Sequence, residues 1–168
     1  MNYLKRTTHK WKSHLAFTIV ELMIVVTIIG ILALIAIPMY MKVRLRSQDA
    51  AFIHDLKTLT NHTFLPYSMS TGKYPPDAAP GIEPEGIHDF LPRNFEWTKS
   101  PAIGGIWDWD RATDRLHKIH CCYAGISICN PHRTESEMRD IDKILDDGNI
   151  LEGIFRKRAG GYIYILEN

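Results

Sequence analysis

Residues 17–41 form an apolar run that holds a single carboxylate, Glu21, near its start. Only Thr18, Glu21, Thr27, Gly30 and Pro38 interrupt the run conspicuously. At about 1.5 Å per residue, a helix of this length matches the roughly 30 Å hydrocarbon core of a bilayer. The run is apolar on every face, so as a helix it must lie in lipid or inside an assembly. A carboxylate at membrane depth costs about 2.5–3.5 kcal/mol on insertion scales. Glu21 therefore needs a partner. Within one chain, only protonation or lipid headgroups are expected to neutralise it.

The flanks add topology. Lys5, Arg6, Lys10 and Lys12 precede the run with no acid among residues 1–16, and the remainder of the chain carries a small acidic excess. Four basic residues stand before the run, but Lys42, Arg44 and Arg46 follow it, so charge counting barely separates the two orientations. A secretory signal has an apolar stretch of about 7–15 residues and is cut after it. This run is longer, so it is expected to stay in the mature chain. No basic face suited to nucleic acid is present.

The residues Phe17-Thr18-Ile19-Val20-Glu21, with Gly30 and Pro38 in the same apolar segment, resemble the start of a mature type IV pilin or type II secretion pseudopilin. The resemblance implies a cytoplasmic basic leader, 1–16, cut off by a prepilin peptidase between Ala16 and Phe17, with methylation of the new N-terminus at Phe17. Ala16 stands where the family usually has glycine, which bears on the efficiency of cutting more than on its position. It further implies a single-pass precursor in the bacterial inner membrane, N-terminus cytoplasmic and C-terminal domain periplasmic. The subunit would then move through an inner-membrane assembly platform into a filament with copies of itself and other pseudopilins. Glu21 would meet the freed amine of a neighbouring subunit, and misaligned copies would leave a buried charge unpaired, which sets the register. A head-to-tail contact that does not close builds a helical fibre. Pilins often close their C-terminal region with a disulfide, and no cysteine follows Cys129, so the pseudopilin branch is favoured.

The expected organisation is a leader (1–16), a transmembrane or filament-core helix (17–41), an amphipathic continuation (42–70) and an extracytoplasmic globular domain (71–168). Pro38 removes a backbone donor, so a kink or local opening is expected near it, and the segment between Gly30 and Pro38 can lose helical order as subunits pack. In the continuation Ala51, Phe52, Leu56, Leu59, Thr63 and Phe64 recur at helical spacing. Pro66 is expected to end or bend the helix, and Thr71-Gly72-Lys73-Tyr74-Pro75-Pro76 to stop it. That Gly-x-Tyr-Pro stretch extends the pseudopilin resemblance to about residue 76. Residues 77–102 read as loop with one helical turn around 87–91. Strands are expected over 103–109, 117–129 and 161–167, the second with Cys122, Ala124, Ile126 and Ile128 on one face. Thr134-Glu135-Ser136-Glu137 is a capping box for a helix with Met138, Ile141, Ile144 and Leu145 on its apolar face. The fold class is α+β: a long N-terminal helix on a small antiparallel sheet, the pilin-like plan.

Three other constellations offer chemistry. His117-x-x-His120-Cys121-Cys122 followed by Cys129-x-x-His132 has soft ligands at zinc-like spacing. It carries the rival reading of a signal-anchored extracytoplasmic metal-binding or enzymatic domain. Adjacent Cys121 and Cys122 would point to opposite strand faces, against a shared metal, and a disulfide from Cys129 to one of them is possible outside the cytoplasm. Asp108, Asp110 and Asp114, and separately Asp146-Asp147-x-Asn149, offer oxygen ligands of the kind calcium takes. Calcium is the one ion that the pseudopilin resemblance brings in. Neither set has EF-hand spacing, so both are expected to be solvated turn acids, and no cofactor is expected. Trp107 and Trp109 share a strand face; buried they are core, exposed they would be the contact surface of a tip adhesin. No nucleophile–base pair, phosphate loop or Gly-x-Ser-x-Gly occurs, so no enzyme activity is expected.

Overall fold

The computed structural model describes residues 17–112 and 122–168. The chain divides into two compact units, Met1–Val43 and Arg44–Asn168.

In the first unit, helix α1 (Ile19–Leu59) begins. Nearly all of its side chains from Ile19 to Val43 are exposed, including Leu22, Ile28, Leu34 and Ile37. It is the one helix among the described residues that is long and apolar enough to cross a membrane. Leu and Ile exposed all round a helix are stable in lipid or within a bundle, not in water. In the single chain no break in the helix occurs at Pro38. α1 continues helically through the proline, which membrane helices tolerate because neighbouring groups and small local adjustments compensate for the lost bond.

In the second unit the remainder of α1 becomes one-sided, burying Phe52, Ile53, Leu56 and Leu59. Pro66 neither ends nor stops the helix. A five-residue π-helical stretch, Thr60–Phe64, precedes it, and α2 (Leu65–Thr71) follows with the proline in its first turn. Pro66 cannot donate to the carbonyl one turn back, and its ring crowds that turn. A wider π turn just before it relieves both problems. Gly72, at φ +73°, closes α2 in the left-handed conformation that side-chain-bearing residues avoid.

Four antiparallel strands follow in the spatial order β1-β2-β4-β3: β1 (Ile106–Arg111), β2 (Ala124–Cys129), β3 (Phe155–Arg158) and β4 (Gly161–Glu167). β1 starts three residues later than expected. β3, Phe-Arg-Lys-Arg, was unexpected because three of its four residues are charged. It pairs with β4, Phe155 opposite Tyr164 and Arg158 opposite Gly161. Helix α3 (Glu135–Leu145) sits between β2 and β3 in sequence and starts with the expected capping box, Thr134 and Glu137 bonding each other's amides. The single turn expected near 87–91 is a 3-10 turn at His88–Phe90.

The pleat sorts the sheet into two faces. Trp107 and Trp109 of β1, Ile126 and Ile128 of β2, and Tyr162 of β4 join Phe52, Leu56, Leu59 and Phe64 in the main core. Phe52 stacks on Trp107 at 5.5 Å between ring centres, and Phe64 on Trp109 at 3.9 Å. Trp109 also donates its indole N–H to the Pro75 carbonyl at 3.1 Å, which fixes the Tyr74-Pro75 stretch against the sheet. Cys122 leaves the face expected for it. The register shifts between Ala124 and Gly125, and Cys122 packs with Ile163 and Ile165 instead. The architecture is α+β, the long N-terminal helix with a small antiparallel sheet.

Candidate functional site

The start of α1 holds the chemistry. Thr18 precedes the first helical residue, and its hydroxyl accepts from the Glu21 amide at 3.3 Å. Glu21 reaches back: its Oε2 accepts from the Thr18 amide at 2.9 Å and from the Thr18 hydroxyl at 2.7 Å. This is a reciprocal capping box, which satisfies amides that a helix start otherwise leaves orphaned. A carboxylate in the first turn also faces the positive end of the helix dipole. So Glu21 has a partner inside its own chain, contrary to the expectation that only protonation or lipid could serve. The signal was legible, since Thr-x-x-Glu before an apolar run is the capping-box pattern, the same pattern that marked Thr134.

Magnitudes show what the cap leaves undone. A capping interaction contributes typically about 1 kcal/mol, with a range of about 0.5–2. That falls short of the roughly 2.5–3.5 kcal/mol cost of a carboxylate at membrane depth. All the hydrogen bonds to the Glu21 side chain within the described residues use Oε2. Oε1 remains open to an external cation. Phe17 is exposed beside this box; Ala16 lies outside the described residues. Further along, a Cβ added at Gly30 would meet no side chain within 4 Å, and Gly30, Ala33, Leu34, Ile37 and Pro38 line a shallow apolar groove on the helix.

Residues 11–37 match the family model of the prokaryotic N-terminal methylation motif. This chain carries a prepilin-type segment. No solved structure matches the chain. The prepilin-type segment supports a type IV pilin-like or pseudopilin precursor, a structural subunit, with processing by a prepilin peptidase and polymerisation with pilin subunits implied. Its apolar helix is consistent with the single-pass inner-membrane anchor of such precursors.

The other sequence candidates fare differently. Asp108 and Asp110 are not solvated turn acids. They are 3% and 7% exposed, on the sheet face opposite the tryptophans. Arg158 of β3 pairs with both, bonding Asp108 through Nη2 and Asp110 at 3.4 Å through Nη1. Ser127 donates to Asp110, and the Cys129 thiol lies 3.4 Å from Asp108. A guanidinium thus stands where these two carboxylates would hold a metal. Asp114 lies outside the described residues.

His117, His120 and Cys121 also lie outside the described residues. Of the remaining soft ligands, Cys129 accepts from Arg158 at 3.0 Å and is pushed up to about 11, first by burial, with the Arg158 charge opposing. A thiol held this protonated is a poor metal ligand. Cys122 and Cys129 stand at opposite ends of the β2 segment, so a bridge between them would require the strand to unpair. Trp107 and Trp109 are 2% and 0% exposed. That burial removes the exposed-strand surface on which the adhesin reading depended.

Proposed function

We propose that this chain is the structural subunit of a type II secretion pseudopilus or type IV pilus-like filament. It is made as an inner-membrane precursor, cleaved between Ala16 and Phe17, and methylated at Phe17. The bundled 17–41 helices form the filament core, and Glu21 pairs through Oε1 with the N-terminal amine of an adjacent subunit. The observation that carries this reading is the half-satisfied Glu21 carboxylate. Its own Thr18 occupies one oxygen and points it at the helix start, where cleavage would generate the amine. A charge-assisted ammonium–carboxylate pair in low dielectric is strong, and it supplies what the cap lacks. The apolar surface of α1 between residues 22 and 41 supports the same reading, because copies packed side by side cover it.

N-terminal mass spectrometry of the membrane-bound protein, with and without Glu21→Ala, tests this. The mature chain is expected to begin at N-methylated Phe17 in both, while Glu21→Ala loses assembly into filaments. A chain that keeps residues 1–16, or filaments undiminished in Glu21→Ala, would overturn the reading.

A further inference from the structure

On α3 Met138 and Ile141 are buried, but Ile144, expected on the same apolar face, is 62% exposed. It flanks an open groove instead. Ala50 and Ile53 of α1, with Ile141 and Ile144 of α3, give this groove its apolar lining, and its volume is about 600 Å3. An apolar furrow between two helices is a ready seat for inserted apolar side chains. The charges at its rim decide what can enter. Asp49 is already held by Arg133 at 3.1 Å, and Asp140 by Lys143 at 2.7 Å. Arg46 lines the same groove, is exposed, and forms no ion pair among the described residues. A partner seated here gains most by bringing an apolar side chain with a carboxylate beside it.

The same chain carries such a knob, in the loop between α3 and β3. Ile150 is buried in the main core and anchors the loop. The Leu151 amide donates to Asn149 Oδ1 at 3.3 Å, and the Glu152 amide to the Asn149 carbonyl at 2.9 Å. On this pinned turn Leu151 is 74% exposed. Glu152 beside it is exposed too, and forms no ion pair among the described residues. A single exposed leucine is ordinary on a protein surface. What sets this one apart is a rigid mount, an adjacent unpaired carboxylate, and a groove of matching chemistry on the same molecule. Leu151 does not line that groove in its own chain.

We propose that Leu151 of one copy of this chain inserts into the α1–α3 groove of a second copy, against Ile53 and Ile144. Glu152 then faces Arg46 of that second copy. Because knob and groove are different surfaces, the contact is heterologous, and where its rotation does not close it repeats into an open fibre. The pinned turn holds Leu151 in place before docking, so little freedom is lost on binding. This contact rests on the filament reading and adds to it. It joins the Arg44–Asn168 units of two copies, and it uses neither Glu21 nor the freed N-terminus.

The test is disulfide cross-linking of the full-length, membrane-bound chain carrying Ile144→Cys together with Leu151→Cys. Oxidation with copper phenanthroline is expected to give a ladder of reducible multimers, absent from the wild type and from each single variant. In parallel, Leu151→Asp is expected to lower filament yield by about tenfold or more, the scale of burying one leucine. Glu152→Arg and Arg46→Glu are each expected to lower it several-fold, and their combination to restore it. All four positions are exposed, so the near-ultraviolet dichroism of the buried tryptophans should stay unchanged. A ladder equally strong in either single variant, or filaments undiminished in Leu151→Asp, overturns the contact. Filaments that form while the cysteine pair stays unlinked overturn this contact and leave the Glu21 pairing standing. A wild type that forms no multimer of any kind overturns both.

Discussion

Phe64 lies flat on Trp109, ring centres 3.9 Å apart and planes within 9°. Both side chains are 0% exposed. Phe64 is the last residue of the π-helical stretch that precedes Pro66, so a device that accommodates a proline also delivers the ring to the sheet. Truncating a buried Phe to Ala costs about 3–5 kcal/mol through lost transfer energy and a cavity. Phe64→Ala is expected to lower the unfolding free energy by that amount and weaken the near-ultraviolet dichroism of the tryptophans. A loss below about 1 kcal/mol would show that the core collapses around the gap.

Among the described residues Arg158 is the charged partner of Asp108, and both are nearly sealed from solvent, at 8% and 5% side-chain exposure. Removing one member of a buried ion pair leaves the other charge uncompensated and costs about 3–5 kcal/mol. Arg158→Met strands the Asp108 carboxylate and weakens the hold on Asp110. Urea denaturation should show that loss, and Asp108→Asn combined with Arg158→Met should recover part of it. No recovery in the double variant would mean the two residues do not act as a pair.

Cys129 should be unusually inert. With its thiol held near 11 instead of the ordinary 9.0, the thiolate fraction at pH 8 falls by about a hundredfold, and the thiolate is the nucleophile. Peptide mapping after iodoacetamide should find Cys129 unmodified in the folded protein and modified in urea. The same raised value makes the thiol favour the folded state below pH 9.0, a contribution lost as the pH climbs from there towards 11. Rapid alkylation of folded protein at pH 8 contradicts the burial.

At the start of α3, Glu137 is held below its ordinary 4.5, first by the Thr134 amide and then by the Thr134 hydroxyl. A depressed carboxyl stabilises the fold above its unfolded value. That contribution is therefore present above pH 4.5 and is lost as pH falls below it. Thr134→Ala is expected to cost about 0.5–2 kcal/mol at pH 7, and the difference from wild type should shrink at pH 3. A difference independent of pH would leave only the hydroxyl in the cap.

Thr18→Ala removes the hydroxyl arm of the Glu21 box and keeps the amide arm. Filament yield should fall without vanishing, because a cap contributes about 1 kcal/mol and the charge pair more. Thr18→Ser should restore it. Loss as complete as in Glu21→Ala would place Thr18 in the intersubunit contact itself.

Local pattern alone determined several parts of this protein. The apolar run 17–41, the box at Thr134, the glycine stop at Gly72 and the alternating final strand all depend on neighbours within a few residues, so period and capping chemistry reveal them. Thr18-x-x-Glu21 belongs with these, although its charge drew attention away from its spacing. Other features needed the tertiary fold. The charged residues of β3 give no strand signal, and its pairing with β4 gives Arg158 two carboxylates to neutralise. Asp108 and Asp110 look like solvated acids until the sheet buries them. Pro66 does not end the helical run because an extra-wide turn absorbs it. Asp142 lies on the apolar stripe of α3, but only the packed unit shows that it is fully buried. Periodicity reports which way a side chain points; whether a charge there finds a partner depends on residues far away in sequence, and only the folded chain brings those together.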